Sequence, residues 1–212
     1  MDKLTFIFIG RSGCGKGTQI DLLIKYLTDQ GFISDQRPLL RSESGNMFRL
    51  LAKVDSYMGR LVQTAMAAGE RMPDASAIWN WFNFIAEKYT GKETLFFDGS
   101  PRSLLEAEAL DSALKFLQRD QMIVIHLDVS RNWAEKRLAD RGRADDLSPA
   151  KINRRQDWYE QDVLPAINYY EKNPSYRYLK INGEQTIEQV QTKIIASLSF
   201  YPLAPSAPIV AV

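Results

Sequence analysis

The chain is expected to adopt an α/β fold, a doubly wound five-stranded parallel sheet flanked by helices, with a small helical insertion and a short lid. Three observations lead there. Short strand-like stretches at Leu4–Ile9, Leu39–Ser42, Leu95–Phe97, Met122–Asp128 and Arg177–Ile181, wholly apolar in the third and nearly so in the first, alternate with longer segments of helical apolar spacing. The run Met122–Asp128 is rich in β-branched residues and unbroken by polar alternation, as a strand covered on both faces requires. A glycine-rich turn, Gly10 to Gln19, joins the first run to the first helical segment, Ile20–Leu27. In such sheets ligands gather at the carboxyl ends of the strands.

The remaining elements follow in order. Asp29 to Pro38 reads as a loop before the second strand. Ser44–Lys53 and Ser56–Ala68 have helical spacing and are closed by Gly69 and Pro73. Asp74 starts a helix over Ala75–Tyr89 whose aromatics, Trp79, Trp81, Phe82 and Phe84, are read as core packing. The third strand ends in Asp98, and Ser103–Leu117 forms the next helix. His126, the only histidine, sits in the fourth strand and is assigned to the core, without chemistry. Ser130 caps a helix over Asn132–Asp140, followed by the arginine-rich stretch Arg141–Asp146. Ser148 and Pro149 form an N-cap with proline at the first helical position, opening a long helix to Lys172 that Pro165 should kink. A strand at Arg177–Ile181 and a helix at Thr186–Leu198 complete the fold.

Composition narrows the classes of function. With 27 basic and 26 acidic residues the net charge is +1, so no global field recruits nucleic acid or anionic membrane. The lone Cys14 cannot form an internal disulfide, which suits a reducing compartment. No signal peptide is visible, and no run approaches the roughly 20 apolar residues of a membrane span. A cytoplasmic monomer is expected, with one domain over residues 1–201 and an uncharged, proline-bearing tail over 202–212.

The chemistry begins at the glycine-rich turn. Gly10-Arg11-Ser12-Gly13-Cys14-Gly15-Lys16-Gly17-Thr18 lies between a strand and a helix start, the context of a phosphate-binding P-loop. Successive backbone N–H groups, helped by the helix dipole, point at phosphate oxygens. Lys16 adds a point charge for the β- and γ-phosphates, and the Thr18 hydroxyl can ligate Mg²⁺. Asp98 can hold the same metal, directly or through water. Several arginines cluster near these elements: Arg49, Arg102, Arg137, Arg141, Arg143 and Arg154. Their planar forks suit bidentate phosphate recognition.

The order and spelling of these segments resemble the adenylate kinase branch of the nucleoside monophosphate kinases. Gly17 intervenes between Lys16 and Thr18, as it does in that branch. Ser44-Gly45-Asn46-Met47-Phe48-Arg49 resembles its acceptor-site segment, and Gly69-Glu70-Arg71-Met72-Pro73-Asp74 the segment that follows. Phe97-Asp98-Gly99-Ser100-Pro101-Arg102 is similar to Phe-Asp-Gly-Phe/Tyr-Pro-Arg. Arg137 to Asp146 resembles a short lid, in which Arg154 falls eight residues past the second aspartate. Ile181 to Gln185 is similar to the last segment beside the donor base.

The resemblance implies a Mg²⁺-dependent transfer of phosphoryl from ATP to a nucleoside monophosphate, AMP foremost. Gly13, Cys14, Gly15, Lys16, Gly17 and Thr18 would cradle the ATP, with Arg137, Arg141 and Gln185 also on the donor side. Thr18 and Asp98 would serve Mg²⁺, Asp98 through water. Ser44, Arg49, Glu70, Arg71, Met72, Gly99, Arg102 and Glu106 would form the acceptor site. Arg141, Arg143 and Arg154 would clamp the transferring group, with Lys16 and Arg102, when the lid over 141–146 closes; Asp145 and Asp146 would orient them. Residues 39–72 would be the mobile acceptor-binding insertion. The lid has no cysteines, so it carries no zinc. Glu106 stands where AMP-specific relatives carry Gln, and Ser100 replaces an aromatic. An ionised glutamate can only accept hydrogen bonds, which suits guanine better than adenine; a protonated one can also donate. Other acceptor bases, or a P-loop nucleotide-binding module with little catalysis, remain as alternatives.

Overall fold

The computed structural model describes residues 4–141 and 148–198. Arg143, Asp145, Asp146 and the tail over 202–212, all singled out from the sequence, lie outside the described residues.

Five strands form one parallel sheet: β1 (Leu4–Ile9), β2 (Leu39–Glu43), β3 (Thr94–Asp98), β4 (Gln121–Asp128) and β5 (Tyr176–Asn182), in the order β2-β3-β1-β4-β5. Every residue of β1 is buried, because this central strand is covered on both faces. Its alternation sorts two cores. Phe6 and Phe8 point to one face, where they meet Ile20, Leu23 and Leu27 of α1 (Lys16–Asp29) and Ile194 of α9 (Ile187–Leu198). Ile7 and Ile9 point to the other, against Trp81, Leu110 and Tyr170. Each such side chain contributes about 1.5–3 kcal/mol by burial.

The second face is built from α4 (Asp74–Lys88), α5 (Leu104–Phe116) and α8 (Leu164–Lys172). On α4 the inward stripe is Ala77, Trp81 and Ile85, at four-residue spacing. Phe84 joins it in part, but Trp79 is 58% and Phe82 44% exposed. The reading of all four aromatics as core is therefore corrected: one helix face meets the sheet, and 79 and 82 fall off it.

α2 (Ser44–Leu51) starts where β2 stops, and α3 (Tyr57–Ala67) follows, with Ser56 accepting the Gly59 N–H at its start. These two helices pack around a small separate cluster of Phe48, Val62 and Ala77. Beyond β4 come α6 (Arg131–Arg141) and α7 (Pro149–Trp158); most of the stretch expected to form the lid lies between them, outside the described residues. The expected kink at Pro165 takes the form of a π-helical stretch, Tyr159–Val163, between α7 and α8. Proline has no N–H to give the carbonyl one turn back, and the widened turn absorbs that loss. No helix of the described residues is long and apolar enough to cross a membrane.

His126 is buried in β4, its Nδ1 2.7 Å from the Tyr178 hydroxyl and its Nε2 3.4 Å from that of Tyr159. Burial pushes the imidazole down to about 4, against the opposing pull of Asp128. It is neutral and partnered, as a core histidine should be.

Candidate active site

β1, β2 and β3 all end at one edge of the sheet, and a cleft of about 610 Å³ opens there. Ser12, Gly13, Gly15, Lys16, Gly17 and Thr18 line one wall. Gly13 has φ +90, and a Cβ there would stand 2.8 Å from the Ala134 carbonyl and 2.9 Å from Leu138 Cγ. Only glycine lets the loop pass so close to α6. Cys14 is buried beneath the loop and does not line the cleft. Lys16 Nζ donates to the carbonyls of Gly10 at 2.7 Å and Arg11 at 2.9 Å, which holds the ammonium along the loop.

The floor is set by Asp98, which ends β3 beside Glu43, the last residue of β2. Thr18 and Asp98 line the same cleft. Hydroxyl and carboxylate oxygens are the hard donors that Mg²⁺ prefers, and it accepts few protein ligands where phosphates and water supply the rest. Among the described residues no three His, Cys, Asp or Glu side chains gather as a metal cage. The hydroxyl of Thr18 and the carboxylate of Asp98 are thus a donor set that fits Mg²⁺.

Opposite the loop, Gly45, Asn46 and Arg49 of α2 line the cleft with Gly99 and Arg102. The Ser44 hydroxyl donates to the Gly99 carbonyl at 2.9 Å, and Arg102 Nε donates to the same oxygen at 2.6 Å. Gly99 has φ +79, and a Cβ would come within 2.9 Å of Arg102 Nη2. The glycine therefore sets the position of that guanidinium. Burial pushes Arg102 below its ordinary value, while Glu106 pulls the other way. Arg137, Arg141 and Arg155 complete the lining from α6 and α7.

Arg155 takes the place that the motif spacing assigned to Arg154. Arg154 donates to the Ala68 carbonyl at 3.0 Å and lies 3.5 Å from Glu70, outside the cleft lining. α7 is locked in phase by Gln156, fully buried, which donates to the Ser12 carbonyl at 3.4 Å. Arg11 adds an ion pair to Glu160 at 3.0 Å and lies 4.2 Å from the centre of the Tyr159 ring. One helical step from Gln156 keeps Arg155 at the cleft; two steps turn Arg154 about 200° away. The eight-residue count from Asp146 falls on Arg154, one position before the arginine of α7 that lines the cleft.

Other expected acceptor residues also stand back from the cleft. Arg71 donates to Asp74 at 2.6 Å and Asp162 at 3.1 Å. Burial works to lower Arg71, but these carboxylates hold it above its ordinary value. Met72 packs on the small cluster around Phe48. Glu106 is only 1% exposed; its Oε2 accepts the Arg102 N–H at 3.2 Å and its Oε1 lies 3.8 Å from Arg71. Burial raises Glu106 to about 7 despite the pull of Arg102 and Arg71. Gln185, expected on the donor side, donates from Nε2 to the Asn182 carbonyl at 2.7 Å and is also outside the lining.

Sequence reasoning passed over Arg41, Asp21 and Glu43, which share the cleft. Arg41 was hidden in an apolar-looking strand and Asp21 in an amphipathic helix. Their link crosses sequence separations that no local spacing reveals.

A family model described as adenylate kinase matches residues 8–175. The adenylate kinase of Synechococcus sp. (strain JA-2-3B'a(2-13)) is 32% identical over 197 residues, covering 91% of this chain and 94% of the relative. That of Phenylobacterium zucineum is 31% identical over 203 residues, 92% of this chain and 98% of the relative. That of Flavobacterium psychrophilum is 28% identical over 195 residues, 90% and 96% respectively.

Proposed function

The chain belongs to the adenylate kinase family, and we infer from that premise and from the cleft that it catalyses ATP + AMP = 2 ADP. It is a phosphotransferase with a phosphate group as acceptor. The observation that carries the reading is a single cleft with the P-loop on one wall and arginines on the other. Phosphoryl transfer of this kind needs two phosphates held in line, negative charge offset between them and water kept out. No residue has to form a covalent intermediate.

In this reading Lys16 and the loop N–H groups hold the donor phosphates. Arg49 and Arg102 hold the acceptor phosphate, and Ser44 and Gly99 fix Arg102. Arg137, Arg141 and Arg155 offset the charge that spreads over the transferred group; Arg143 is proposed to join them from the lid. Mg²⁺, held by Thr18 and by Asp98 through water, would neutralise the phosphate oxygens. The small cluster that α2 and α3 build on Ala77 of α4 supports residues 44–72 as the unit that closes on the acceptor; 39–43, included in the expected insertion, belong to the sheet as β2. A monomer in the cytoplasm is the setting we propose, supported by the single Cys14 and near-zero net charge.

Glu106 bears on the base. Burial raises it to about 7, so it takes up a proton at higher pH than an ordinary carboxylate. A carboxylic acid both donates and accepts, as a glutamine amide does, so once closure on the acceptor opens this buried carboxyl to the cleft, a protonated Glu106 can meet adenine where an ionised one cannot. A chromatographic assay with ATP and Mg²⁺ against AMP, GMP, CMP, UMP and dTMP tests both points. ADP formation with AMP is expected; no diphosphate from any acceptor would overturn the enzyme reading. Glu106→Gln should hold the KM for AMP steady above pH 7, where that of the wild type rises. An unchanged acceptor preference and pH profile would show that Glu106 does not read the base.

A further inference from the structure

Arg41 brings to the cleft a cation that the family segments do not account for. It projects from β2 with its guanidinium shared among three carboxylates. Nη1 donates to Asp21 Oδ1 at 2.5 Å, Nη2 donates to Asp98 Oδ2 at 2.7 Å, and Nε lies 2.8 Å from Glu43 Oε1. Burial works to lower Arg41, but the bonds to Asp98 and Asp21 outweigh it and hold it above its ordinary value. Arg41 and Asp98 are each 19% exposed at the side chain, while Asp21 is 67% and Glu43 38% exposed. The inner carboxylate of the three is thus Asp98, the one proposed above to serve the nucleotide's metal.

We propose that Arg41 is a positioning residue that competes with the nucleotide-bound divalent cation for Asp98, and that Asp21 and Glu43 hold the guanidinium when the metal takes that carboxylate. The inference rests on the reading that the P-loop takes ATP with Mg²⁺. A guanidinium cannot yield by losing its proton, so it must share Asp98 or move. Its planar fork already engages the two outer carboxylates, so releasing Asp98 leaves it with two charged partners. Metal binding and the Arg41–Asp98 pair are therefore coupled, and the coupling sets how much divalent cation the enzyme requires. The sign distinguishes this role from simple phosphate binding. Removing a phosphate-holding arginine weakens the metal–nucleotide complex; removing a competitor for Asp98 strengthens metal binding.

The test is a Mn²⁺ titration followed by electron paramagnetic resonance, with a saturating non-hydrolysable ATP analogue on the full chain. Arg41→Gln should tighten Mn²⁺ at least about fivefold, the lower end of ordinary site–site coupling. Asp21→Asn, on an exposed helix position that leaves β2 intact, should weaken Mn²⁺ several-fold by returning Arg41 to Asp98. In the Arg41→Gln background the same change should shift Mn²⁺ affinity less than about twofold, because its route is gone. Unchanged or weaker Mn²⁺ binding in Arg41→Gln, or an equal effect of Asp21→Asn in both backgrounds, overturns the role of Arg41. If the wild-type complex holds no Mn²⁺ beyond that of the analogue alone, the metal–nucleotide reading falls, and this proposal with it.

Discussion

Replacing Glu106 by Gln should make the protein more stable at alkaline pH and leave it little changed in acid. In the native state the carboxyl is 1% exposed and burial raises it from 4.5 to about 7. Below pH 4.5 native and unfolded chains both keep the proton, so the site adds no pH dependence. Between 4.5 and 7 the unfolded chain releases it first, and stability falls as pH rises. Above 7 the native carboxylate is ionised and the whole cost is present. At 1.36 kcal/mol per pH unit, that window corresponds to about 3 kcal/mol. Gln cannot ionise, and its carbonyl still accepts the Arg102 N–H. Urea unfolding of both proteins at pH 4.5 and pH 8 reads the effect as a difference of differences, in which titrations common to both, such as His126, cancel. A gain for Glu106→Gln of about 2–4 kcal/mol between the two pH values is expected. A change below about 1 kcal/mol, or a loss at pH 8, would refute the argument from burial.

Three further outcomes are expected. Lys16→Ala and Arg102→Ala should each lower kcat at least about 100-fold, the scale of losing a preorganised charge at the transition state, with circular dichroism showing an intact fold; near-normal turnover in either would count against the mechanism. Arg155→Ala should cost about as much, whereas Arg154→Ala, which among the described residues loses its Ala68 and Glu70 contacts, should stay within a few-fold of wild type in steady-state assays. Reversed effects would show that Arg154 is the clamp. Nitrogen-15 NMR should find the His126 imidazole neutral down to about pH 4. Its unfolded-state value is near 6.5, so stability should decline as pH falls from 6.5 towards 4. A histidine titrating near 6.5 in the native protein would remove that dependence.

What the sequence determined by itself is whatever rests on local order. The strand–loop–helix of residues 4–29 was legible because a buried run, glycine spacing and helical periodicity lie within thirty positions. The five strands and the phosphate-binding loop followed from such patterns, and the ordered segments from Ser44 to Gln185 carried the family. What only the tertiary structure decided are relations across the chain. Whether Arg154 or Arg155 faces the cleft depends on how α7 docks through Gln156 on the P-loop, a phase that one inserted residue rotates by about 100°. Glu106 owes its weakened acidity to burial, against the pull of Arg102 and Arg71, and its neighbours in sequence say nothing of that. The split of α4 into a buried Trp81 and exposed Trp79 and Phe82 was likewise set by which helix face the sheet met. Arg41 is the plainest case. Its partners come from the first helix, its own strand and the strand beside it, and only the folded sheet brings Asp21, Glu43 and Asp98 around one guanidinium.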